Sequence, residues 1–257
     1  MPVFHCIYRR LIIGAKLSSN CYCYETLLEL EKNTWKRWQM MKSRVISINV
    51  SKAKEVAYKG RSIETGIFKT PVSGKLKLNH LNLEGDQQAD LTVHGGPDKA
   101  VYAYSWEHYS WWQEKLPGVE FSYGKFGENL TTEGVLEEQA FIGDEFRIGA
   151  VVLRVSQPRL PCYKLGIKFG RADVIKMFTQ STRSGIYFSV VEEGELEQGD
   201  KIEYLRGDEH KINLQDVAKI FAGNYVPDLE FLQRALNSNL AEQMKMFIAA
   251  ELDEFDK

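Results

Sequence analysis

From residue 44 to about 206, apolar and polar positions alternate in short runs separated by turn residues. Ile46, Ile48 and Val50 share one face of a half-buried strand. Leu76–His80, Asp90–His94, Val101–Tyr104, Phe141–Ile148, Val151–Ser156, Ile186–Val191 and Lys201–Leu205 fit the same period of two. Gly95-Gly96, Gly143-Asp144, Gly149 and Gly199-Asp200 punctuate them. Two helices interrupt the series. The first, capped by Ser105, puts Trp106, Tyr109, Trp112 and Leu116 on one face and ends at Pro117-Gly118; the second covers Ala172–Phe178. Many short strands with few long helices predict a mainly β fold with added helices, closed or nearly closed into a barrel.

Beyond Gly207 the period changes. Asn213 is placed to cap a helix carrying Leu214, Val217, Ala218 and Phe221, and Asp228 one carrying Leu229, Leu232 and Leu236. A third carries Leu240, Met244, Phe247 and Ile248. This three-helix module holds about twice as many acidic as basic residues. Residues 1–40 show no sustained period. The expected division is an N-terminal extension over 1–40, disordered or non-native, with Met41 as the start; a β-barrel domain over 41–206; and a three-helix domain over 207–257.

Composition narrows the classes. A net charge of −2 offers no general attraction to nucleic acid or anionic lipid, so any anion site must be a local cluster of basic groups. No apolar run approaches the roughly 20 residues that span a bilayer, and Arg9-Arg10 interrupts the start as a signal peptide. A cytoplasmic protein with no nucleic-acid or membrane partner is expected. Cys6, Cys21 and Cys23 precede residue 24, leaving Cys162 alone in the main body without a disulfide framework. His5-Cys6 with Cys21-Tyr22-Cys23 lacks the second spaced pair of a zinc site, and His80, His94 and His108 make no usual ligand spacing.

Cys162 is the first chemical candidate. The Val151–Ser156 strand runs into Pro158 and Pro161, which stiffen the chain before the cysteine. Arg159 and Lys164 flank it at −3 and +2, and nearby cations favour the thiolate that attacks or ligates. The competing reading is an inert buried cysteine. A second cluster, Gly85 to Ala100, is rich in titratable groups and closes on Gly95-Gly96. There His94 suits an oxyanion or a proton, and Lys99 a phosphate; an exposed hairpin with an Asp98–Lys99 pairing is the alternative. Asn129, in Gly124–Thr132, offers donors and an acceptor to a heterocycle edge, or sits in an ordinary Gly-rich turn. Arg183 and Tyr187 precede and open a strand, as site residues or as a solvated loop end. No nucleophile elbow, Walker A loop or dinucleotide fingerprint is present.

Taken in order, Gly85-Asp86-x-Gln88-Ala89-Asp90, His94-Gly95-Gly96-x-Asp98-Lys99-Ala100, Phe126-Gly127-Glu128-Asn129-Leu130, Ile142-Gly143-Asp144, Gln157-Pro158-Arg159-x-Pro161-Cys162-x-Lys164-Leu165, Gly185-x-Tyr187 and Glu192-x-Gly194 resemble the MOSC family. This family is named for the C-terminal domain of molybdenum cofactor sulfurase. The resemblance covers about 42–255 and extends to the short bacterial YiiM-like members, whose barrel is followed by a three-helix ("3-alpha") module. It implies a β-barrel and a molybdenum cofactor (molybdopterin) ligated by Cys162; pyridoxal phosphate is not expected. Arg159, Lys164, Lys99, Asn129, Asp98 and Arg183 are the expected cofactor contacts, with His94 beside Cys162 as the catalytic pair. Ile186 and Phe188-Ser189 depart from the family pattern, which often has Trp before the Tyr and an Arg after it.

The resemblance further implies reduction of N-hydroxylated compounds such as hydroxylamino purines. Without a flavin, haem or iron–sulfur motif in the chain, electrons are expected from an external reductase of flavin or iron–sulfur type. The alternative is a non-catalytic carrier of the cofactor or of sulfur, using the same Cys162. Oligomeric state is open.

Overall fold

The computed structural model describes residues 43–89 and 94–255. The strand expected at Asp90–His94 falls mostly outside them, as do the cysteine and histidine group near the start and the 1–40 extension. Eight strands form one sheet: β1 (Arg44–Val50), β4 (Thr70–Val72), β6 (Val101–Ser105), β7 (Leu130–Glu133), β8 (Glu145–Ile148), β9 (Val151–Pro158), β10 (Ile186–Glu192) and β12 (Ile202–Arg206). Their order is β12-β8-β9-β10-β6-β7-β1-β4. All neighbours are antiparallel except β6 and β7, which are parallel because α1 (Glu107–Lys115) lies in the connection between them. Backbone hydrogen bonds from Val45 N to Asp200 O, Gly199 N to Val45 O and Ile202 N to Ser43 O, each 2.9 Å, draw the start of β1 onto the start of β12.

The other strands form two small sheets. The hairpin β2 (Lys54–Tyr58) and β3 (Arg61–Thr65) turns at Lys59-Gly60, both with positive φ. β5 (Leu76–Leu78) pairs with β11 (Gly194–Leu196).

Alternation along β6 shows how the core is divided. Val101 and Ala103 join an aliphatic cluster on one face, while Tyr102 and Tyr104 enter an aromatic cluster on the other. The aliphatic cluster also takes Leu214, Val217, Leu232, Met244 and Ile248 from the C-terminal helices and Ile212 from the chain just before them, so sheet and helices share one core. These helices are α4 (Leu214–Phe221), α5 (Leu229–Asn237) and α6 (Glu242–Phe255). Asn213 accepts from the N–H groups of Gln215 and Asp216, and Asp228 from that of Phe231, as the cap residues require. Phe247, expected on the buried face, is 55% exposed, because α6 turns Met244 and Ile248 inward instead.

The aromatic cluster joins Trp112 and Leu116 to Phe126, Leu165, Phe169 and Phe178, the last three on or beside α2 (Tyr163–Phe169) and α3 (Val174–Ser181). One sequence expectation changes here, and one element is added. Ser105 does not cap α1: it ends β6, and its hydroxyl donates to the Val135 carbonyl at 2.7 Å. The proline-stiffened stretch before Cys162 leads directly into a helix that the sequence reading did not anticipate, closed by Gly170 in the left-handed conformation. Among the described residues, no helix is long and apolar enough to cross a membrane.

Candidate functional site

The end of β9 and the start of α2 deliver Arg159, Cys162 and Lys164 to one cleft. The cleft is half open: about 560 Å³ of space lies between its lining residues, bulk solvent at its mouth included. Cys162 stands at the N-cap of α2 in extended conformation and is partly exposed. Its Sγ lies 3.3 Å from Nε2 of His94, so residues 68 positions apart meet at hydrogen-bonding distance. Arg159 is nearly buried; its guanidinium lies 4.7 Å from the Tyr102 ring centre and donates to the Phe126 carbonyl. Lys164 is 8% exposed, and among the described residues no carboxylate pairs with it. Lys99 also lines the cleft, and burial holds its ammonium below the ordinary lysine range despite the raising effect of Asp98.

Another wall comes from the end of β3 and the segment after it. Thr65, Gly66, Ile67 and Lys69 line it, with Gln87, Gln88 and Ala89. A Cβ on Gly66 would stand 2.1 Å from the Gln87 carbonyl oxygen, so only glycine permits these two stretches to meet. Lys69 is bound through both oxygens of buried Asp86. Burial lowers the lysine's proton affinity, with Asp86 opposing that shift. Asp86 also accepts from the Ser51 N–H and from Asn129 Nδ2, each at 2.9 Å.

Asn129 therefore reaches the cleft with its side chain already engaged. Its Oδ1 accepts from the Tyr102 N–H at 3.2 Å while Nδ2 holds Asp86. Tyr187 lines the cleft beside Tyr102, and burial raises the phenol, opposed by Arg159. The structure does not bring two expected residues to the cleft. The Asp98 carbonyl accepts the Ser156 hydroxyl at 2.6 Å in a short 3-10 turn, and the Arg183 guanidinium packs 4.4 Å from the Trp111 ring centre.

Sequence reasoning missed Lys69, Tyr102 and the Thr65–Ile67 segment. Lys69 carried one usable signal, a lone cation between Phe68 and the β4 strand. Chemically, the cleft offers a soft sulfur donor, an imidazole at its side and cations on both walls. It is suited to an anionic ligand that accepts a thiolate. Among the described residues, no group of three or more His, Cys, Asp or Glu side chains is placed to hold a metal ion.

A family model described as "MOSC domain" matches residues 90–203. An uncharacterized protein YflK from Bacillus subtilis (strain 168) is 46% identical over 176 residues, 68% of this chain and 79% of the relative. A protein named "Reductase" from Gibberella moniliformis is 31% identical over 170 residues, 65% of this chain; the match spans 30% of that protein. Among solved structures, YiiM from Geobacillus stearothermophilus superposes with a TM-score of 0.69 at 29% identity, covering 82% of this chain and 99% of that one.

Proposed function

Because the chain belongs to the MOSC domain family, we propose that it is an oxidoreductase that holds the molybdenum cofactor through Cys162 and reduces N-hydroxylated compounds such as hydroxylamino purines. The observation that carries this reading is the Cys162 sulfur, partly exposed in the cleft with His94 at 3.3 Å and cations on the walls. The similarity to a fungal protein named a reductase supports the redox class.

The donor set fits the group. A thiolate is the ligand type that soft metal centres take, and Lys99, Arg159 and Lys164 offset the negative charge of a pterin phosphate and its sulfurs. When bound, the cofactor supplies the two-electron chemistry. The protein's own residues hold and orient it. Arg159, locked against Tyr102 and the Phe126 carbonyl, is a fixed cation. Asn129 and the Lys69–Asp86 pair brace another wall of the cleft.

His94 stands where it can take the Cys162 thiol proton and return protons to the leaving oxygen. The overall change is balanced: R–NHOH, two electrons and two protons give R–NH₂ and water, with the N–O bond broken. An external reductase of flavin or iron–sulfur type supplies the electrons. The barrel implied for 41–206 belongs to the same reading, supported by the hydrogen bonds that join β1 to β12. The helices of 207–257 then act as a three-helix domain capping it.

The test is metal and pterin analysis of wild type beside Cys162→Ala, with an assay on a hydroxylamino purine and a chemical reductant. Molybdenum and turnover in wild type, both lost in the variant, are expected. Bound molybdenum without turnover in wild type would instead mark a carrier of cofactor or sulfur, and absence of molybdenum from wild type would end the reading.

A further inference from the structure

The residues around Cys162 divide into a charged interior and an apolar rim. Arg159 and Lys164 are each 8% exposed, whereas Leu160 and Tyr163, at −2 and +1 from the cysteine, are 41% and 42% exposed. Large apolar side chains left open beside a partly exposed sulfur offer a surface for something other than a charged ligand.

One of them is already engaged from outside. The Tyr163 ring is stacked on Tyr58, with centroids 5.4 Å apart and planes 23° from parallel. Tyr58 ends β2 at the tip of the β2–β3 hairpin, and the Lys59 ammonium lies 5.4 Å from its ring centre. The hairpin has little core of its own. Its strands are mostly exposed, and Thr65, the buried residue at its base, lines the cleft. The arm thus runs from the cleft wall to the rim beside Cys162, and an aromatic stack fastens its tip there. A ring pair that stays half open offers a flat face on which a planar ring adds its own stacking, with no demand on hydrogen-bond pattern.

We propose that the Tyr58–Tyr163 stack is the subsite that selects planar aromatic N-hydroxylated substrates over small aliphatic ones. The inference rests on the reductase reading for the identity of the substrate, and on the rim geometry for its shape. Tyr58 and Tyr163 are positioning residues: they hold the ring at the rim while its N–O group points toward Cys162 and His94.

The experiment measures binding apart from turnover. Cofactor-loaded wild type, Tyr58→Ala, Tyr163→Ala and Tyr163→Phe are titrated with adenine, the planar amine product of 6-hydroxylaminopurine, by calorimetry. Loss of a ring that stacks on a base is expected to raise the adenine Kd by about 5- to 150-fold in Tyr163→Ala, with a smaller rise in Tyr58→Ala. Tyr163→Phe keeps the ring and should stay within about twofold of wild type; it also guards against a folding defect in the alanine variants. In turnover, KM for 6-hydroxylaminopurine should rise with the Kd, while KM for N-hydroxyurea stays put. Unchanged adenine affinity in both alanine variants, no adenine binding by wild type, or an equal loss for N-hydroxyurea overturns the subsite. Adenine binding that depends on Tyr163, in a protein that reduces neither compound, leaves the subsite standing and removes the reductase reading.

Discussion

The Lys99 ammonium, on the cleft wall, donates to Oε1 of Gln243 on α6 at 2.8 Å. The C-terminal helices thereby reach a residue that faces the cleft, and the Ala241 N–H adds a bond to the Ser156 carbonyl of β9 at 3.1 Å. A flexible lysine held in place loses less freedom when it meets an anion. Gln243→Ala is expected to lower molybdenum and pterin content by about two- to fivefold, an effect near 0.5–1 kcal/mol. Its melting temperature should remain close to that of wild type, since the bond is exposed. Full cofactor content in the variant would show that Lys99 needs no such support.

Asp86 and Lys69 form an ion pair with side chains only 2% and 8% exposed. Removing one partner strands the other charge away from water, which costs about 3–5 kcal/mol. Asp86→Ala also leaves the Ser51 N–H and Asn129 Nδ2 without their acceptor. A large drop in the urea midpoint is expected, and the double variant Asp86→Leu with Lys69→Met should recover a good part of it. If the double variant is no more stable than Asp86→Ala, the penalty does not come from the orphaned charge.

What could be read in the sequence follows the range of the interactions. Asn213 and Asp228 were legible as caps because a cap acts within three residues of itself. Cys162, Arg159 and Lys164 lie in one short stretch, so their meeting needed no tertiary information. The helix α2 was hidden by Pro158 and Pro161, which signal an irregular chain, although Leu165 and Phe169 at helical spacing before Gly170 marked it. Tyr102 reaches the site through sheet pairing and Lys69 through the placement of the segment between β3 and β4, and no local pattern encodes either. Arg183 shows the opposite failure: a cation beside a motif looked chemical, and the exposed face of α1 gave it Trp111 to pack on instead.

His94→Gln separates holding from catalysis. The histidine touches the Cys162 sulfur but is one of several groups around the cleft, so molybdenum content should fall no more than about twofold. Loss of a positioned proton donor costs on the order of 10²–10⁴ in rate. Turnover of the hydroxylamino purine should drop by that factor, and added imidazole should restore part of it. A variant that loses molybdenum and activity together would make His94 a structural support for the sulfur.

Lys168, on α2 behind the cleft, donates to the Ile67 carbonyl at 2.7 Å and to the Gly124 carbonyl. Burial pushes its pKa from 10.5 down to about 7; Glu128 opposes the shift, and Lys69 and Arg159 add to it. Between those two values the unfolded chain keeps a proton that the folded chain has released, so this lysine makes stability rise with pH across that window. Below about pH 7 the folded protein carries a costly buried charge. Lys168→Met removes the charge but orphans the carbonyls, at about 1–3 kcal/mol. The variant should therefore be clearly less stable than wild type at pH 9, with the gap shrinking at pH 6 as wild type takes up the proton. Chemical denaturation at the two pH values reads this directly. A gap of constant size would mean that Lys168 stays charged throughout, held by the two carbonyls and Glu128 against the effect of burial.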